Sequence, residues 1–268
     1  MNPLSTLQQQ EAAAQFEEDG YYIAPPVLSP ELIKQANTHV DAVLAGIYET
    51  GIPPVTRSFA PGEGVGKLQK IDNAHISDET LQKVVAHPAL GEWAAAVTGA
   101  SKVQIFATQL LFKPPGGETG VNIGWHQDLE YWQNHLQGEL FTAWLALSDV
   151  TEEAGPMRFI RGSHRWGLLN AGDFFSGDMQ AIQSRIQDKS GNPWDEVSDI
   201  LPPGGVSFHH KLTVHGSSAN HSQAPRRSLA IHLLTEKAGL VEGADYRTAG
   251  YLSDFNDGRA CPVIYQAK

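Results

Sequence analysis

Trp125-His126-Gln127-Asp128 carries two metal-ligand residue types one position apart. On an extended strand successive side chains alternate between the two faces, so His126 and Asp128 point one way and Gln127 points the other. Two imidazoles and one carboxylate on one face of an iron ion form the facial triad of non-haem Fe(II) oxygenases, which leaves positions open for a co-substrate and O2. The stretch supplies two such ligands, and His215 is the candidate for the third.

Other histidines compete with His215 for the third position. His209 and His210 end a strand-like run and are its main rivals. As neighbours on a strand they point to opposite faces, so at most one of them can join the site. The remaining histidines of the N-terminal region are interpreted as surface or capping residues; these are His39, His75 and His87.

A strand-like run from Arg226 to Leu234 follows the polar, turn-rich segment after His215. Period-2 counting puts one polar set and one apolar set on opposite faces. The polar set is Arg226, Ser228, Ala230 and His232, and the apolar set is Arg227, Leu229, Ile231 and Leu233. The polar face is predicted to line a pocket, where the guanidinium of Arg226 can bind a carboxylate through two parallel hydrogen bonds.

Several motifs in this order resemble the phytanoyl-CoA dioxygenase family of Fe(II)/2-oxoglutarate-dependent oxygenases. They are Phe112-Lys113-Pro114-Pro115-Gly116, Trp125-His126-Gln127-Asp128, Ala143-Trp144-Leu145-Ala146-Leu147, Gly162-Ser163-His164-Arg165-Trp166-Gly167, Pro203-Gly204-Gly205-Val206-Ser207-Phe208 and His215-Gly216-Ser217. The resemblance implies a mainly β fold with flanking helices (α+β), in which N-terminal support helices cover a double-stranded β-helix, the cupin-like jelly roll. It also implies that His126, Asp128 and His215 bind Fe(II) and that Arg226 holds the distal carboxylate of 2-oxoglutarate.

The same resemblance suggests further residues around the co-substrate. Ser217 is placed to hydrogen-bond one of its carboxylates, and Trp144 to pack against it. Gln109 is predicted to contact substrate or co-substrate, with a satisfied core amide as the alternative. Lys70 matches a family lysine that meets the co-substrate, although Lys67 and Gln69 compete for that match.

The implied reaction is hydroxylation of a small-molecule or acyl substrate, with consumption of O2 and 2-oxoglutarate and release of succinate and CO2. The carboxylate of Asp128 favours oxygenation over halogenation, because halogenating relatives replace that residue by a small one. Two alternatives stay open: a cupin-type metal enzyme that does not use 2-oxoglutarate, and a non-catalytic metal-binding jelly-roll protein. Nothing in the sequence selects one substrate.

The length of 268 residues is compatible with one domain. Within residues 1–268 we expect a largely helical support region over 1–100, a jelly-roll core over 101–236 with a rim insertion at about 167–200, and a C-terminal extension over 237–268. Helices are predicted from a Ser5 cap to Asp19 and from Ser29 to Gly51, each ended by a glycine. In the second helix, apolar residues including Val40, Leu44 and Ile47 recur at helical spacing and are predicted to face the core. Residues 51–66 form a Pro/Gly-rich loop long enough to cover an active site.

The composition of the chain limits the kinds of binding partner and the cellular compartment that we expect. A net charge of −11 argues against binding nucleic acid or an anionic membrane through bulk electrostatics. The single cysteine, Cys261, excludes an intramolecular disulfide, and a cytoplasmic location is the simplest expectation. No signal peptide or membrane-length apolar run is visible, and the oligomeric state is left open.

Overall fold

The computed structural model describes residues 4–63, 66–116 and 122–267. Residues 64–65 of the predicted covering loop, and the ends of the helical region and of the C-terminal extension (1–3 and 268), lie outside the described residues. The α-helices in the described residues are α1 (Thr6–Asp19), α2 (Pro30–Leu44), α3 (Glu79–Val85), α4 (Pro88–Thr98), the short α5 (Leu129–Trp132) and α6 (Met179–Ser190).

The first two helices begin where the sequence predicts. The Ser5 side chain accepts from the backbone N–H of Gln8 in a capping box, and Gly20, at φ 81°, ends α1 in the left-handed conformation that glycine favours. Helix α2 begins after the Ser29 cap but ends at Leu44, earlier than predicted.

The early end of α2 corrects the boundary at Gly51. Gly46 adopts φ 82°, so the chain leaves the helix there. Ile47, which the apolar pattern placed on the buried stripe, is 64% exposed. The apolar pattern extended past the end of the helix because Ile47 happens to stand at a helical interval from the buried apolar residues before it.

The strands of the described residues are β1 (Tyr21–Ala24), β2 (Thr56–Arg57), β3 (Gln69–Asp72), β4 (Lys102–Lys113), β5 (Ile123–His126), β6 (Leu136–Gln137), β7 (Leu140–Ala146), β8 (Met157–Ile160), β9 (Glu196–Ser198), β10 (Val206–His210), β11 (His215–Ser217), β12 (Arg226–Thr235), β13 (Gly239–Leu240) and β14 (Val263–Gln266). The large sheet has the order β1-β10-β7-β12-β4-β3-β2, with β14 also paired to β4, and the small sheet has the order β5-β11-β8-β9. Crossovers between these antiparallel sheets are typical of the jelly roll, and this confirms the predicted fold class.

The large sheet is apolar on one face and polar at the centre of the other. Leu229 and Ile231 of β12 belong to the main hydrophobic core, together with Ala36 and Val40 of α2. Trp144 and Ala230 point to the other side, where they pack with Phe159 of the small sheet. The alternation predicted for β12 is therefore confirmed, and its predicted polar set faces the space between the two sheets.

The segments on either side of the core strands pack against the two sheets. The N-terminal region is helical as predicted, but it also supplies β1, β2 and β3 to the large sheet. Helix α6 of the rim insertion packs Ile182 and Ile186 with Trp125, on the outer side of β5. The C-terminal extension packs Tyr251 and Phe255 in a cluster with Trp132. Across the described ranges, no helix is long and apolar enough to cross a membrane.

Candidate metal centre and adjoining pockets

Three predicted ligands converge between the two sheets. His126 ends β5, and it lies opposite His215, which begins β11. Asp128 follows two residues later, and ligand atoms of the three residues lie within 4.8 Å of one another. The distances from Asp128 Oδ1 are 3.7 Å to His126 Nε2 and 3.6 Å to His215 Nε2. Each of these two distances is less than twice the length of a metal–ligand bond of about 2.1 Å, so one ion can bind Asp128 together with either histidine without a rearrangement.

The reason for the convergence differs from the predicted one. Asp128 is not on an extended strand: its φ of −54° and ψ of −37° belong to the helical turn that begins α5. The strand therefore ends at His126, and the turn swings the carboxylate back towards the imidazole. The residues come together as predicted, through a strand-to-helix turn rather than through strand alternation.

Backbone carbonyls fix the tautomers of both histidines. His126 Nδ1 lies 2.8 Å from the carbonyl oxygen of Gly124, and His215 Nδ1 lies 2.9 Å from that of Thr213. A carbonyl only accepts hydrogen bonds, so each Nδ1 carries the proton and donates it. Both Nε2 lone pairs are left to face Asp128 Oδ1, which is the orientation that metal-binding imidazoles need.

The second oxygen of Asp128 is held away from that point. Oδ2 accepts from Thr142 Oγ1 at 2.7 Å and lies 3.2 Å from His209 Nε2. Thr142 has one hydroxyl proton, so it accepts in turn from Nδ1–H of His232 at 2.9 Å. His209 Nδ1 and His232 Nε2 are buried and have no hydrogen-bond partner. Asp128 thus presents one oxygen to the histidine pair and uses the other to anchor itself.

The protonation states fit a divalent cation. Burial alone raises the pKa of the Asp128 carboxyl, but His215, His126 and His209 together hold that pKa well below its ordinary value. Burial, with His126 and His209 nearby, lowers the pKa of His215 well below its ordinary value. Ionised carboxylate and neutral imidazole are the forms that bind metal. Two nitrogen donors and one oxygen donor in a buried setting match the ligand set of Fe(II) oxygenases.

His209 and His210 separate as strand alternation requires. His209 points into the site beside Asp128, whereas the ring of His210 lies 5.7 Å from that of His164 outside it. The contact of His209 with Asp128 was missed, although the alternation already left one of the pair free to reach the site. His75 corrects another interpretation: it is fully buried and bonded to Thr108 and Ala260.

An inner pocket surrounds the three predicted ligands. It is lined by Gln109, Leu111, Ile123, His126, Asp128, Thr142, Trp144, Met157, Phe174, His209, His215, Gly216, Ser217, Arg226, Ala230 and His232. The predicted residues Gln109, Trp144, Ser217 and Arg226 are thus all brought to the ligand set. Lys70 is not among the lining residues.

Arg226 is a buried cation in this pocket. Its side chain is almost wholly enclosed, its guanidinium lies 5.2 Å from the centre of the Trp144 ring, and one amino group donates to the carbonyl of Gly155. Its Nε has no hydrogen-bond partner among the residues that the structure describes, and burial lowers the pKa of Arg226 to about 10. Arg227 instead reaches Asp41 on the helix side, at 2.7 Å. The predicted register of β12 is therefore confirmed.

Lys113 is a second buried cation, which sequence reasoning overlooked. It pairs with Arg226 across β4 and β12, and burial, together with the charge of Arg226, lowers its pKa well below the ordinary value. Its ammonium donates to Ser217 Oγ at 2.7 Å and to the carbonyl of Ser218. The Phe112-Lys113-Pro114 motif contained the signal, since a lysine inside a strand needs polar partners when it is buried.

An outer cavity of about 350 Å³ adjoins the inner pocket. Its lining is Thr56, Lys70, Asp72, Gln109, His126, Asp128, Tyr131, Trp132, Phe174, Phe175, His232, Ala249, Gly250 and Tyr251. Lys70 lies here, with its Nζ 2.7 Å and 3.0 Å from the two carboxylate oxygens of Asp72. His126 and Asp128 line both spaces, so a molecule in the outer cavity faces the ligand set directly.

A second group of potential metal ligands serves to cap a helix. His39, Glu49 and Asp78 offer atoms close enough for an ion. Asp78 Oδ1, however, caps α3 by accepting from two backbone N–H groups, and its Oδ2 lies 2.7 Å from His39 Nδ1. The cluster is a capping arrangement at the helix surface.

Comparisons with known proteins agree with this geometry. The family model described as Phytanoyl-CoA dioxygenase (PhyH) matches residues 16–228. A probable alpha-ketoglutarate-dependent hypophosphite dioxygenase of Stutzerimonas stutzeri is 25% identical over 230 residues, covering 82% of this chain and 77% of that protein. The peroxisomal phytanoyl-CoA dioxygenase of Bos taurus is 25% identical over 228 residues, covering 81% of this chain and 66% of that protein. The solved structure of the non-heme alpha ketoglutarate dependent carbocyclase SnoK has the same fold, with a TM-score of 0.73, 24% identity, and coverage of 98% of this chain and 99% of that one.

Proposed function

The chain belongs to the phytanoyl-CoA dioxygenase family of Fe(II)- and 2-oxoglutarate-dependent oxygenases, and from this membership we propose that His126, Asp128 and His215 hold its iron. Both imidazoles offer Nε2 and the carboxylate offers Oδ1. Thr142 and His209 keep the other carboxylate oxygen turned away. Such outer partners orient the ligands and preserve the open positions that co-substrate and O2 require.

Arg226 is proposed to bind the distal carboxylate of 2-oxoglutarate. The observation that carries this assignment is a fully buried guanidinium with an unpartnered Nε in the same pocket as the ligand set. A buried charge is costly unless it is neutralised, and a carboxylate supplies that neutralisation through two hydrogen bonds. Ser217, Trp144 and Gln109 line the path between Arg226 and the ligands, so they are proposed to contact the same molecule.

Lys113 and Lys70 receive different roles. Nζ of Lys113 donates to Ser217 Oγ, and a dianion bound at Arg226 would favour the charged form of this lysine. Contact of Lys70 with the co-substrate remains a prediction. Its bonds to Asp72 in the outer cavity favour a role on the substrate side instead.

The proposed reaction is hydroxylation of a C–H bond. Substrate R–H, O2 and 2-oxoglutarate give R–OH, succinate and CO2, with one oxygen atom entering the product and the other entering succinate. Iron, when bound, supplies the activation of O2. The protein positions the substrate beside His126 and Asp128 and limits the access of water through the buried inner pocket.

The substrate is proposed to be a small molecule, as the name of the hypophosphite relative states for that protein. The cupin-type and non-catalytic alternatives are not favoured, because the buried arginine has no use in them. We propose that the chain works as one domain in the cytoplasm, supported by the strands that the N-terminal region and the C-terminal extension add to the large sheet and by the unpaired, buried Cys261.

Anaerobic spectroscopy tests this proposal. Fe(II) added with 2-oxoglutarate is expected to give a visible metal-to-ligand charge-transfer band, and admission of O2 with a substrate to give succinate. Iron bound without the band would favour a cupin-type enzyme. No iron binding would leave a non-catalytic protein.

A further inference from the structure

The outer cavity has an aromatic lining supplied from outside the jelly-roll core. Tyr131 and Trp132 come from α5, Phe174 and Phe175 from the rim insertion, and Tyr251 from the C-terminal extension. A volume of about 350 Å³ suits a small organic molecule, since ligand pockets begin at about 300 Å³. Because His126 and Asp128 form its inner wall, the cavity is where a substrate would meet the iron.

The aromatic rings are held in place yet exposed to the cavity. Tyr131 Oη accepts the backbone N–H of Phe174 at 2.9 Å, and the carbonyl of Phe174 accepts the N–H of Gly124 on β5 at 3.0 Å. Tyr251 Oη donates to the carbonyl of Tyr131 at 3.2 Å. Tyr131 is nevertheless 43% exposed and Phe175 79% exposed. Fixed aromatic faces left open beside a reactive centre are suited to stacking on a ring of the ligand.

The opposite wall carries no net charge. Lys70 is bonded to both carboxylate oxygens of Asp72, and Thr56 Oγ1 also donates to Asp72. Apart from the candidate iron ligands and His232, these two are the only cation and anion in the described lining. A phosphate or carboxylate bound to Lys70 would lie beside the carboxylate of Asp72 and be repelled by it. The wall can still donate one hydrogen bond and accept another.

We propose that the outer cavity binds an uncharged, flat, ring-containing small molecule with a hydroxyl or carbonyl group. The ring packs against Phe174 and Tyr251, and the polar group bonds to the Lys70–Asp72 pair. The neutral wall disfavours CoA thioesters, whose phosphates need unpaired cations. This assignment rests on the proposed oxygenase function, because the cavity is taken as the substrate site.

A binding titration on the whole chain without iron, with excess 2-oxoglutarate present to occupy Arg226, tests the class of ligand. We use 2-naphthol as the neutral probe, 2-naphthoate as its anionic counterpart and decanoyl-CoA as the thioester, each followed by ligand-observed NMR. Wild type should bind 2-naphthol at least about tenfold more tightly than the other two, since one unpaired charge or one lost stacking contact is worth about that factor. Equal or tighter binding of 2-naphthoate or decanoyl-CoA would overturn the proposal.

Two substitutions locate the binding. Phe174→Ala should weaken 2-naphthol binding about tenfold, while Phe59→Ala, at an aromatic residue outside the lining, should leave it unchanged. Asp72→Asn frees the charge of Lys70 and should raise 2-naphthoate affinity about tenfold, removing most of the preference for 2-naphthol. Thermal unfolding of each variant checks that the fold is retained. No change in either affinity in a folded variant would refute the proposed site.

The charge-transfer band, measured in parallel, separates this proposal from the proposed function. If the band forms and 2-naphthol does not bind, the substrate class is wrong and the oxygenase assignment stands. If 2-naphthol binds with the predicted effects and the band does not form, the cavity assignment stands as a ligand site and the oxygenase assignment fails.

Discussion

Replacing Arg226 and Arg227 separately by methionine compares two adjacent arginines in different surroundings. Arg226 is buried between the sheets and has no carboxylate within ion-pair distance among the described residues, whereas Arg227 is already bonded to Asp41 on the helix side. Methionine removes the charge and keeps much of the side-chain volume. We therefore expect Arg226→Met, and not Arg227→Met, to weaken 2-oxoglutarate binding.

The expected size follows from burial. Truncating one partner of a buried, hydrogen-bonded charge pair costs about 2 to 5 kcal/mol, while an exposed pair contributes about 0 to 1 kcal/mol. With about 1.4 kcal/mol for each factor of ten, Arg226→Met should raise the 2-oxoglutarate requirement at least about 30-fold. Arg227→Met should change it less than about fivefold.

The assay titrates 2-oxoglutarate at fixed Fe(II) under anaerobic conditions and follows the charge-transfer band. Arg226→Lys is a useful companion variant, because it keeps a positive charge and loses the bidentate contact. Its affinity for 2-oxoglutarate should therefore fall between those of wild type and Arg226→Met. Equal effects at both positions, or a larger effect at Arg227, would refute the assignment of the carboxylate to Arg226.

Three further outcomes are expected. His126→Ala, Asp128→Ala and His215→Ala should each abolish iron-dependent turnover and lower iron affinity without lowering the unfolding temperature greatly; wild-type-like turnover at limiting iron would remove that residue from the site. Because Asp128 is present, the native enzyme in chloride buffer should give only oxygenated product, and a chlorinated one detected by mass spectrometry would contradict this. Burial raises the pKa of Asp199 to about 7, so folding favours its protonated form, and stability should decline as the pH rises from about 4 to about 7. Of a full loss on the order of 4 kcal/mol, about 3 kcal/mol falls between pH 5 and 8, and this part should be absent in Asp199→Asn when denaturant unfolding is compared at those two pH values.

Short-range patterns predicted the parts of the fold that depend on neighbouring residues. The Ser5 cap, the Ser29-Pro30 start and the alternation along β12 are local, and the structure confirms each. The end of α2 was misplaced because apolar spacing alone does not register the turn at Gly46. The buried position of His75 was missed for a related reason: its partners Thr108 and Ala260 are distant in sequence.

The convergence of the candidate ligands was predictable for a different reason. His215 lies far along the chain from His126 and Asp128, but each of the three stands in a motif that resembles the family. Their geometry was not predictable: Asp128 enters through a helical turn, and its partners Thr142 and His209 lie on two other strands. The surroundings of Lys113 were not predictable either, because they depend on Ser217 and on Arg226 of the neighbouring strand.

The outer cavity shows why substrate choice is harder to read than chemistry. Gly124 lies so close to the rim insertion that an added Cβ would stand 1.9 Å from the carbonyl oxygen of Asp173, and a Cβ added at Gly172 would stand 2.5 Å from the Cα of His126. Two glycines thus let the insertion run directly along β5 and bring Phe174 to the ligand set. No periodic pattern marks such an approach, since it needs only the absence of two side chains. The chemistry rests on residues that a motif can carry, whereas the specificity rests on how closely one backbone approaches another.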